Sequence, residues 1–369
     1  MIQTYLIYNL MLLGSTGLLY VREKIVQPEQ VKLKLILLLA AFLIVTIPSA
    51  IRFEIGTDYY GYINIFNNIN NFSHIELGFA YLTKFIRIFT DNPQWGIAVY
   101  AFLFSVLIFL SYPKEDAYLF NMITLSILLL PSFNIIRQVL AISLTLIACH
   151  QYYNKKIITS GTLMFCAGLF HSSEFLLLGL FLITLIPLSD QWKSYILPRL
   201  GIIIIVLLYF FVDQVIIVLS EISVYFFPKY QHLIDSKTVF IKVNWGMGLG
   251  VTAKVLFSIY VLANAKYLLE KHTQNWLIIL MIFSYGIATI LAGYIAIFDR
   301  FMYIFSAAPI FAAYELFRKS QVKSLMRLTA CLFILVLLLS FEKMIYAQPS
   351  DYGDSKLLPY RTIFLKVSV

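Results

Sequence analysis

Long apolar runs alternate with short polar segments along the whole chain. Runs that approach the roughly 20 residues needed to cross a bilayer as a helix occupy 2–21, 33–51, 94–112, 118–133, 135–153, 200–219, 251–269, 275–297, 301–317 and 326–341. The stretch 157–187 fits either one long helix or two short helices broken at His171-Ser172-Ser173. The pattern predicts an all-α polytopic membrane protein whose residues 1–369 form a single membrane domain.

The positions of lysine and arginine decide how often the chain crosses. Cytoplasmic loops of membrane proteins carry an excess of these residues, and the loop Arg22–Lys34 holds four of them. If 157–187 forms two spans, the basic cluster Arg318–Arg327 falls on this same cytoplasmic side. If it forms one span, that cluster lies outside. We therefore predict about twelve transmembrane helices with both termini outside.

Three polar segments then lie on the outer side of the membrane. The first, 52–93, contains an apolar stretch at 77–89 that also carries Lys84 and Arg87. Its spacing predicts an amphipathic helix that lies on the membrane surface. The second segment is 220–250, and the third is the C-terminal tail, 342–369.

Composition supports a membrane environment and excludes several classes of function. Charged residues make up only 13% of the chain, whereas soluble domains carry about a quarter. The net charge of +9 is spread between apolar runs, so no compact basic module for nucleic acid stands apart. The chain has no P-loop, no H-E-x-x-H and no Cys/His cluster, so we expect no cofactor and no metal. The three cysteines lie in apolar runs and are predicted to be packing residues: Cys149, Cys166 and Cys331.

Isolated polar residues gather at the outer ends of the predicted spans. They are Arg52, Glu54, Asp58, Glu76, Asn134, Arg137, Gln138, His171, Asp299 and Arg300. Ionisable groups at membrane depth cost a few kcal/mol, so they are kept where they pair or bind something. We predict that they line an outward-facing cavity. For a single arginine the alternative is snorkelling to the interface, and for Arg300 it is neutralisation by Asp299.

These residue types suit phosphate binding and proton transfer. Guanidinium groups bind phosphate oxygens bidentately and stay charged, so the three arginines of the group, from separate helices, could form a phosphate site. A histidine titrates near neutral pH, which makes His171 a candidate base. The rival bases are Glu54, Asp58 and Glu76. Asp58 fits equally well as the residue of an Asx turn.

Five short motifs follow one another between about residues 50 and 305. They are Arg52 with Gly56-Thr57-Asp58-Tyr59, Glu76-Leu77-Gly78-Phe79, Asn134-Ile135-Ile136-Arg137-Gln138-Val139-Leu140-Ala141, Phe170-His171-Ser172-Ser173, and Asp299-Arg300-Phe301-Met302-Tyr303. In this order they resemble the EpsG family, which is grouped with Wzy-type polymerases of bacterial O-antigen, capsule and exopolysaccharide. No motif covers 220–250 or the C-terminal tail, so recognition of an acceptor there stays open.

The resemblance implies a transferase of the bacterial inner (cytoplasmic) membrane with its active site facing the periplasm. Its substrate would be an undecaprenyl-pyrophosphate-linked oligosaccharide repeat unit, and arginines would stabilise the diphosphate leaving group without a metal. Membrane lipid and a chain-length regulator protein are the further partners expected. The implied catalytic residues are Arg52, Arg137, His171 and Arg300. The implied substrate-binding residues are Asp58, Tyr59, Glu76, Asn134, Gln138, Asp299 and Tyr303.

Three other classes of function stay open at this point. A flippase for the same lipid-linked oligosaccharide would need charge along a passage through the bilayer, whereas here charge gathers at one face. A polyprenyl-phosphate-sugar glycosyltransferase usually carries acidic residues in its first outer loop, and Glu54 with Asp58 keeps that alternative open. A receptor or assembly scaffold is disfavoured by outer-face arginines that have no evident partner.

Overall fold

The structure is a computed structural model that describes residues 2–72, 75–226, 248–271, 274–294, 296–319, 324–346 and 356–364. In these ranges the regular secondary structure is helical, apart from one isolated antiparallel bridge between Arg52 and Thr362. Most of the predicted outer segment 220–250 and parts of the predicted tail 342–369 lie outside the described residues. The all-α prediction is confirmed for the part of the chain that is described.

The helices are numbered here in chain order. They are α1 (Ile2–Ile25), α2 (Val31–Ile51), α3 (Tyr59–Asn67), α4 (Leu77–Arg87), α5 (Pro93–Leu110), α6 (Ala117–Leu128), α7 (Ile136–Tyr153), α8 (Ile157–Phe170), α9 (Phe175–Thr184), α10 (Leu197–Phe226), α11 (Gly248–Ala263), α12 (Ala265–Lys271), α13 (Asn275–Ala292), α14 (Ala296–Ile304), α15 (Ala307–Lys319) and α16 (Ser324–Tyr346). The chain folds as two compact units. Unit 1 comprises Met1–Phe175 with Leu337–Val369, and unit 2 comprises Leu176–Val336.

Within the described ranges, six helices are long and apolar enough to cross a membrane, which makes the protein a multi-pass membrane protein. They are Ile2–Ile25, Val31–Ile51, Pro93–Leu110, Trp192–Val218, Asn275–Ala292 and Ser324–Tyr346. Four shorter apolar helices accompany them at Ala117–Leu128, Ile157–Phe170, Ser172–Thr184 and Gly248–Ala263. Each predicted apolar run is helical over most of its length. The count of about twelve crossings stays a prediction.

Contacts within unit 1 show which helix ends lie together at each of its two opposite sides. At one face the backbone N–H of Tyr360 donates to Thr4 Oγ1 (2.9 Å), which places the tail beside the start of α1. The bridge from Thr362 to Arg52 places the end of α2 at the same face. At the other face Lys24, near the end of α1, pairs with Asp116 just before α6 (2.7 Å). The start of α1, the tail and the start of segment 52–93 therefore share one side of unit 1.

The stretch 157–187 is broken at the histidine, so the interpretation as one long helix is wrong. Helix α8 ends at Phe170, and His171 is extended, with φ −152° and ψ 114°. A single 3₁₀ turn, Ser172–Glu174, then leads into α9. Serine side chains compete for backbone hydrogen bonds and favour such interruptions over continuous helix.

The predicted amphipathic helix is present as α4. One side is buried against the protein through Phe79, Thr83 and Ile86. The other side is an apolar stripe of large side chains, each more than half exposed: Leu77, Tyr81, Phe85, Ile88 and Phe89. An exposed apolar stripe of this size is typical of a helix lying in the membrane interface. Gly78 sets the approach of α4 to α8, because a Cβ there would lie 2.9 Å from the Leu169 carbonyl oxygen.

Unit 2 differs from the predicted spans in three places: the run 251–269 is interrupted at Asn264, the run 301–317 is interrupted at residues 305–306, and the run 275–297 ends before its predicted end. The predicted run 275–297 ends early, since α13 stops at Ala292 and the N–H groups of Gly293 and Tyr294 close tight turns onto Ile290 and Leu291. A separate short helix, α14, follows and carries the Asp299 motif. Hydrophobicity could not find this break, because apolar residues flank it on both sides.

Candidate functional site

Three of the predicted residues lie together in one polar cluster in unit 1, the Glu76 cluster (Glu76, Arg137 and His171). Each carboxylate oxygen of Glu76 contacts a different basic side chain. Oε2 lies 2.5 Å from Nη1 of Arg137, and Oε1 lies 3.2 Å from Nδ1 of His171. The side chains are 14%, 24% and 18% exposed, respectively, so the cluster is shielded yet reachable from the surface.

Helix ends bring these three side chains together. Glu76 immediately precedes α4, Arg137 lies in the first turn of α7, and His171 immediately follows α8. The backbone N–H of Ser172 adds a long contact of 3.4 Å to Glu76 Oε1. Two of the three positions therefore flank a helix terminus, where backbone groups and side chains are free of the helical ladder and can turn toward a neighbour.

The electrostatics of the cluster keep Glu76 ionised. Partial burial alone would raise the pKa of the Glu76 carboxyl, but the interaction with His171, a backbone hydrogen bond and the charge of Arg137 outweigh it and lower the pKa to about 2. The carboxylate is therefore negative throughout the physiological pH range, and it balances the charge of Arg137 when no ligand is bound.

A second set of contacts attaches the Gly56-Thr57 turn to the start of α7. Asn134 Oδ1 accepts hydrogen bonds from the Thr57 backbone N–H (2.5 Å) and from Thr57 Oγ1 (2.9 Å). Gly56 has φ +101°, and a Cβ at that position would lie 2.5 Å from the Phe133 carbonyl oxygen. Only glycine fits there. Since Asn134 is three residues before Arg137, this turn is tied to the same helix end as the Glu76 cluster.

Of the remaining predicted substrate-binding residues of unit 1, two are buried and one is half-buried. Tyr59 is 3% exposed and donates to Gln94 Oε1 (2.6 Å), while Gln138 is 2% exposed. Asp58 is half-buried and directly precedes α3. Their predicted roles in substrate binding stay predictions.

Arg52 is buried in the interior of unit 1. Its side chain is 1% exposed, Nη1 donates to the Ser49 carbonyl oxygen (2.7 Å), and the guanidinium lies 4.7 Å from the centre of the Phe133 ring. Burial lowers the pKa of Arg52 to about 10, so the group keeps its charge at neutral pH. A cavity of about 10 Å³, room for about one water molecule, borders Arg52 and Ser132.

The fifth motif lies in unit 2. Asp299 and Arg300 are exposed on α14, and Tyr303, one turn further on, is half-buried. The structure thus brings Glu76, Arg137 and His171 together and ties Asn134 to the turn before Asp58. It places Arg300 in a different compact unit.

Three polar residues that the sequence analysis did not single out are placed in contact with residues of the site or inside the helical packing. Tyr62 accepts a hydrogen bond from the Arg137 backbone N–H (3.3 Å). Glu174 is fully buried and accepts from Thr145 Oγ1 (3.0 Å). Lys254 lies in the apolar helix α11 with Nζ 4.0 Å from the sulfur of Met302. Glu174 and Lys254 had a usable signal, since each is an ionisable residue in or beside an apolar run.

Comparison with known proteins agrees with this arrangement of motifs. No curated protein and no solved structure matches the chain. A sequence model described as "EpsG family" matches residues 35–362, a range that contains the Glu76 cluster, the Gly56-Thr57 turn and the motif of α14. Because this match covers most of the chain, the protein belongs to the EpsG family.

Proposed function

We propose that the protein is a glycosyltransferase that polymerises undecaprenyl-pyrophosphate-linked oligosaccharide repeat units at the periplasmic face of the bacterial inner membrane. The observation that carries this proposal is the Glu76 cluster. It places a guanidinium, a carboxylate and an imidazole at one face of a multi-pass membrane protein. Membership of the EpsG family supports the same substrate class.

In this proposal Arg137 binds the diphosphate of the donor. Nη1 is held by Glu76, and the buried Nε has no hydrogen-bond partner among the described residues. The Arg137 side chain is 24% exposed, and in this proposal its exposed part donates to a phosphate oxygen. As the bond between sugar and diphosphate breaks, negative charge grows on the leaving oxygen, and a fixed cation stabilises that charge without reorganisation. This arrangement makes the transfer independent of a metal ion.

His171 is the proposed general base. In this proposal the neutral imidazole carries its proton on Nδ1, which lies 3.2 Å from Glu76 Oε1, and Nε2 is the proton acceptor. The acceptor hydroxyl oxygen attacks the anomeric carbon of the growing chain, and its proton passes to Nε2. The bond from that carbon to the diphosphate oxygen breaks, and the lipid diphosphate leaves with the electron pair. The diphosphate linkage supplies the driving force, so ATP is not needed.

The other predicted residues take supporting roles in the proposal. Asn134 holds the Gly56-Thr57 turn at the rim of the site. Arg300, with Asp299 and Tyr303, offers a second exposed cation in unit 2 for lipid-linked substrate. The outward-facing cavity predicted from the sequence and a chain-length regulator as partner belong to the same proposal.

The test is chain growth in cells that carry Arg137→Ala. We expect long polysaccharide to disappear while single lipid-linked units accumulate, with the variant present in the membrane at the parent level. Arg137→Lys keeps the charge but not the fork and should be only partly active. Normal chain lengths in Arg137→Ala would refute the site. Loss of all surface glycan would identify a flippase, and repeat units that lack one sugar would identify a single-residue glycosyltransferase.

A further inference from the structure

The described part of the C-terminal tail, residues 356–364, packs against the helix ends of unit 1. Tyr8 donates its hydroxyl hydrogen to the Leu357 carbonyl oxygen (2.9 Å). Tyr360 donates its hydroxyl hydrogen to the Pro48 carbonyl oxygen (2.7 Å), and its backbone N–H donates to Thr4 Oγ1 (2.9 Å). The tail thus joins the start of α1 to the last turn of α2.

The same tail pairs its backbone with the segment that follows α2. Three hydrogen bonds join them: Ile363 N–H to the Ile51 carbonyl (3.0 Å), Phe53 N–H to the Arg361 carbonyl (2.9 Å), and Gly56 N–H to the Lys356 carbonyl (3.1 Å). The bridge between Arg52 and Thr362 lies among them. Residues 53–56 belong to no helix, so the tail provides partners for backbone groups that α2 and α3 leave unpaired.

One ion pair reinforces this backbone pairing. Arg361 Nη1 lies 2.9 Å from Glu54 Oε2, and the Tyr60 hydroxyl donates to Glu54 Oε1 (2.5 Å). Glu54 has φ +56° and Lys356 has φ +48°, a region that is unfavourable for residues other than glycine. Such conformations persist only where surrounding contacts impose them, and here the tail supplies those contacts on both sides.

From these contacts we propose that residues 356–364 are a positioning element of the active site. The tail holds Glu54 and Gly56, so the Gly56-Thr57 turn stays docked on Asn134, three residues before Arg137. The proposal rests on the function proposed above. It gives a role to the C-terminal segment, which carries none of the five motifs.

The experiment measures the position of the turn separately from activity. Ile55→Cys is introduced into the full-length chain with its three native cysteines replaced by serine, and its rate of reaction with a membrane-impermeant maleimide is recorded. The Ile55 side chain is 0% exposed, so a thiol at this position is labelled only when the turn opens. Arg361→Ala is the test variant, Arg361→Lys the conservative variant, and Lys32→Ala the matched control at an exposed lysine in the first turn of α2.

We expect Arg361→Ala to raise the labelling rate about threefold or more, as local opening of the turn becomes easier, and to shorten the polysaccharide. Arg361→Lys should restore most of both properties, and Lys32→Ala should change neither. Unchanged labelling in Arg361→Ala would overturn the proposal, and so would faster labelling with normal chain lengths. Labelling does not depend on catalysis, so these results are distinguishable from failure of the proposed function, which is seen in Arg137→Ala.

A cross-link tests whether the tail stays in place during turnover. Ile51→Cys with Ile363→Cys, at backbone positions joined by a hydrogen bond, is oxidised in the same cysteine-free chain. A fixed positioning element predicts that chain growth continues in the oxidised state and is unchanged on reduction. Loss of chain growth that reduction restores would overturn the proposal, because the tail would then have to leave its position.

Discussion

Glu76 Oε2 lies 2.5 Å from Nη1 of Arg137, although the two residues are 61 positions apart in the chain. The contact joins the residue before an amphipathic surface helix to the first turn of an apolar helix. The consequence is electrostatic. An arginine that is already paired with one carboxylate is stabilised further by an anion that carries more than one negative charge. A lipid diphosphate is such an anion, and it would take up the donors that Glu76 leaves.

The role of His171 can be tested by replacing it with glutamine. His171→Gln retains a donor for Glu76 but cannot accept a proton, so we expect the rate of chain elongation to fall by about 10²–10⁴-fold. The measurement is incorporation of lipid-linked units by membranes of equal protein content. His150→Gln, at the opposite end of α7, is the control and should elongate normally. Normal elongation in His171→Gln would transfer the role of base to Glu54 or Asp58.

The acid stability of the protein should depend on Glu76. Its pKa is lowered from 4.5 to about 2 in the folded chain, so the stabilisation is complete above pH 4.5 and is lost as the pH falls through 4.5 toward 2. At a half-buried site this corresponds to roughly 2 kcal/mol. Between pH 6 and pH 3 the thermal midpoint of the detergent-purified parent should therefore fall further than that of Glu76→Gln. Equal losses would show that the ion pair is not formed.

The turn at Gly56 should not tolerate a side chain. Gly56→Ala would place a Cβ 2.5 Å from the Phe133 carbonyl oxygen at φ +101°, and we expect a loss of about 2 kcal/mol or more in stability. Gly61 is the matched control, since nothing lies within 4 Å of its Cβ position inside α3. Gly61→Ala should be neutral or stabilising by about 0.5–1 kcal/mol. Equal thermal midpoints for the two variants would contradict the described turn.

Because Arg52 is buried, its role in packing can be tested separately from a role in catalysis. Arg52→Met keeps much of the volume and removes the cost of burying a charge, at the loss of one hydrogen bond to the Ser49 carbonyl oxygen. Because the guanidinium is 1% exposed, we expect Arg52→Met to elongate chains, whereas Arg52→Ala should lose about 2–4 kcal/mol and accumulate poorly. If Arg52→Met is abundant in the membrane but makes no long chains, the catalytic role implied by the family resemblance is supported instead.

Much of the helical framework followed from local pattern. The apolar runs predicted the long apolar helices over most of their lengths, the amphipathic spacing predicted α4, and the basic residues favoured the break at His171 that α8 and α9 show. Helix α3 was not predicted, and neither were breaks inside the other apolar runs, such as the turn between α13 and α14. The predicted helices depend on residues a few positions apart in the chain, so the order of residues alone is sufficient to specify them.

The sequence by itself determined that the chain is a helical membrane protein and that its ionisable residues collect at helix ends, because lipid penalises charge and unpaired backbone wherever they are placed. Only the tertiary structure decided which of them meet. It joined Glu76 to Arg137 and His171, buried Arg52, and paired Arg361 with Glu54 across 307 positions. Those contacts depend on how helix ends pack against one another, and no local pattern encodes that packing. Of the predicted charged patch, the structure of unit 1 shows one compact cluster and a turn whose backbone pairs with the tail.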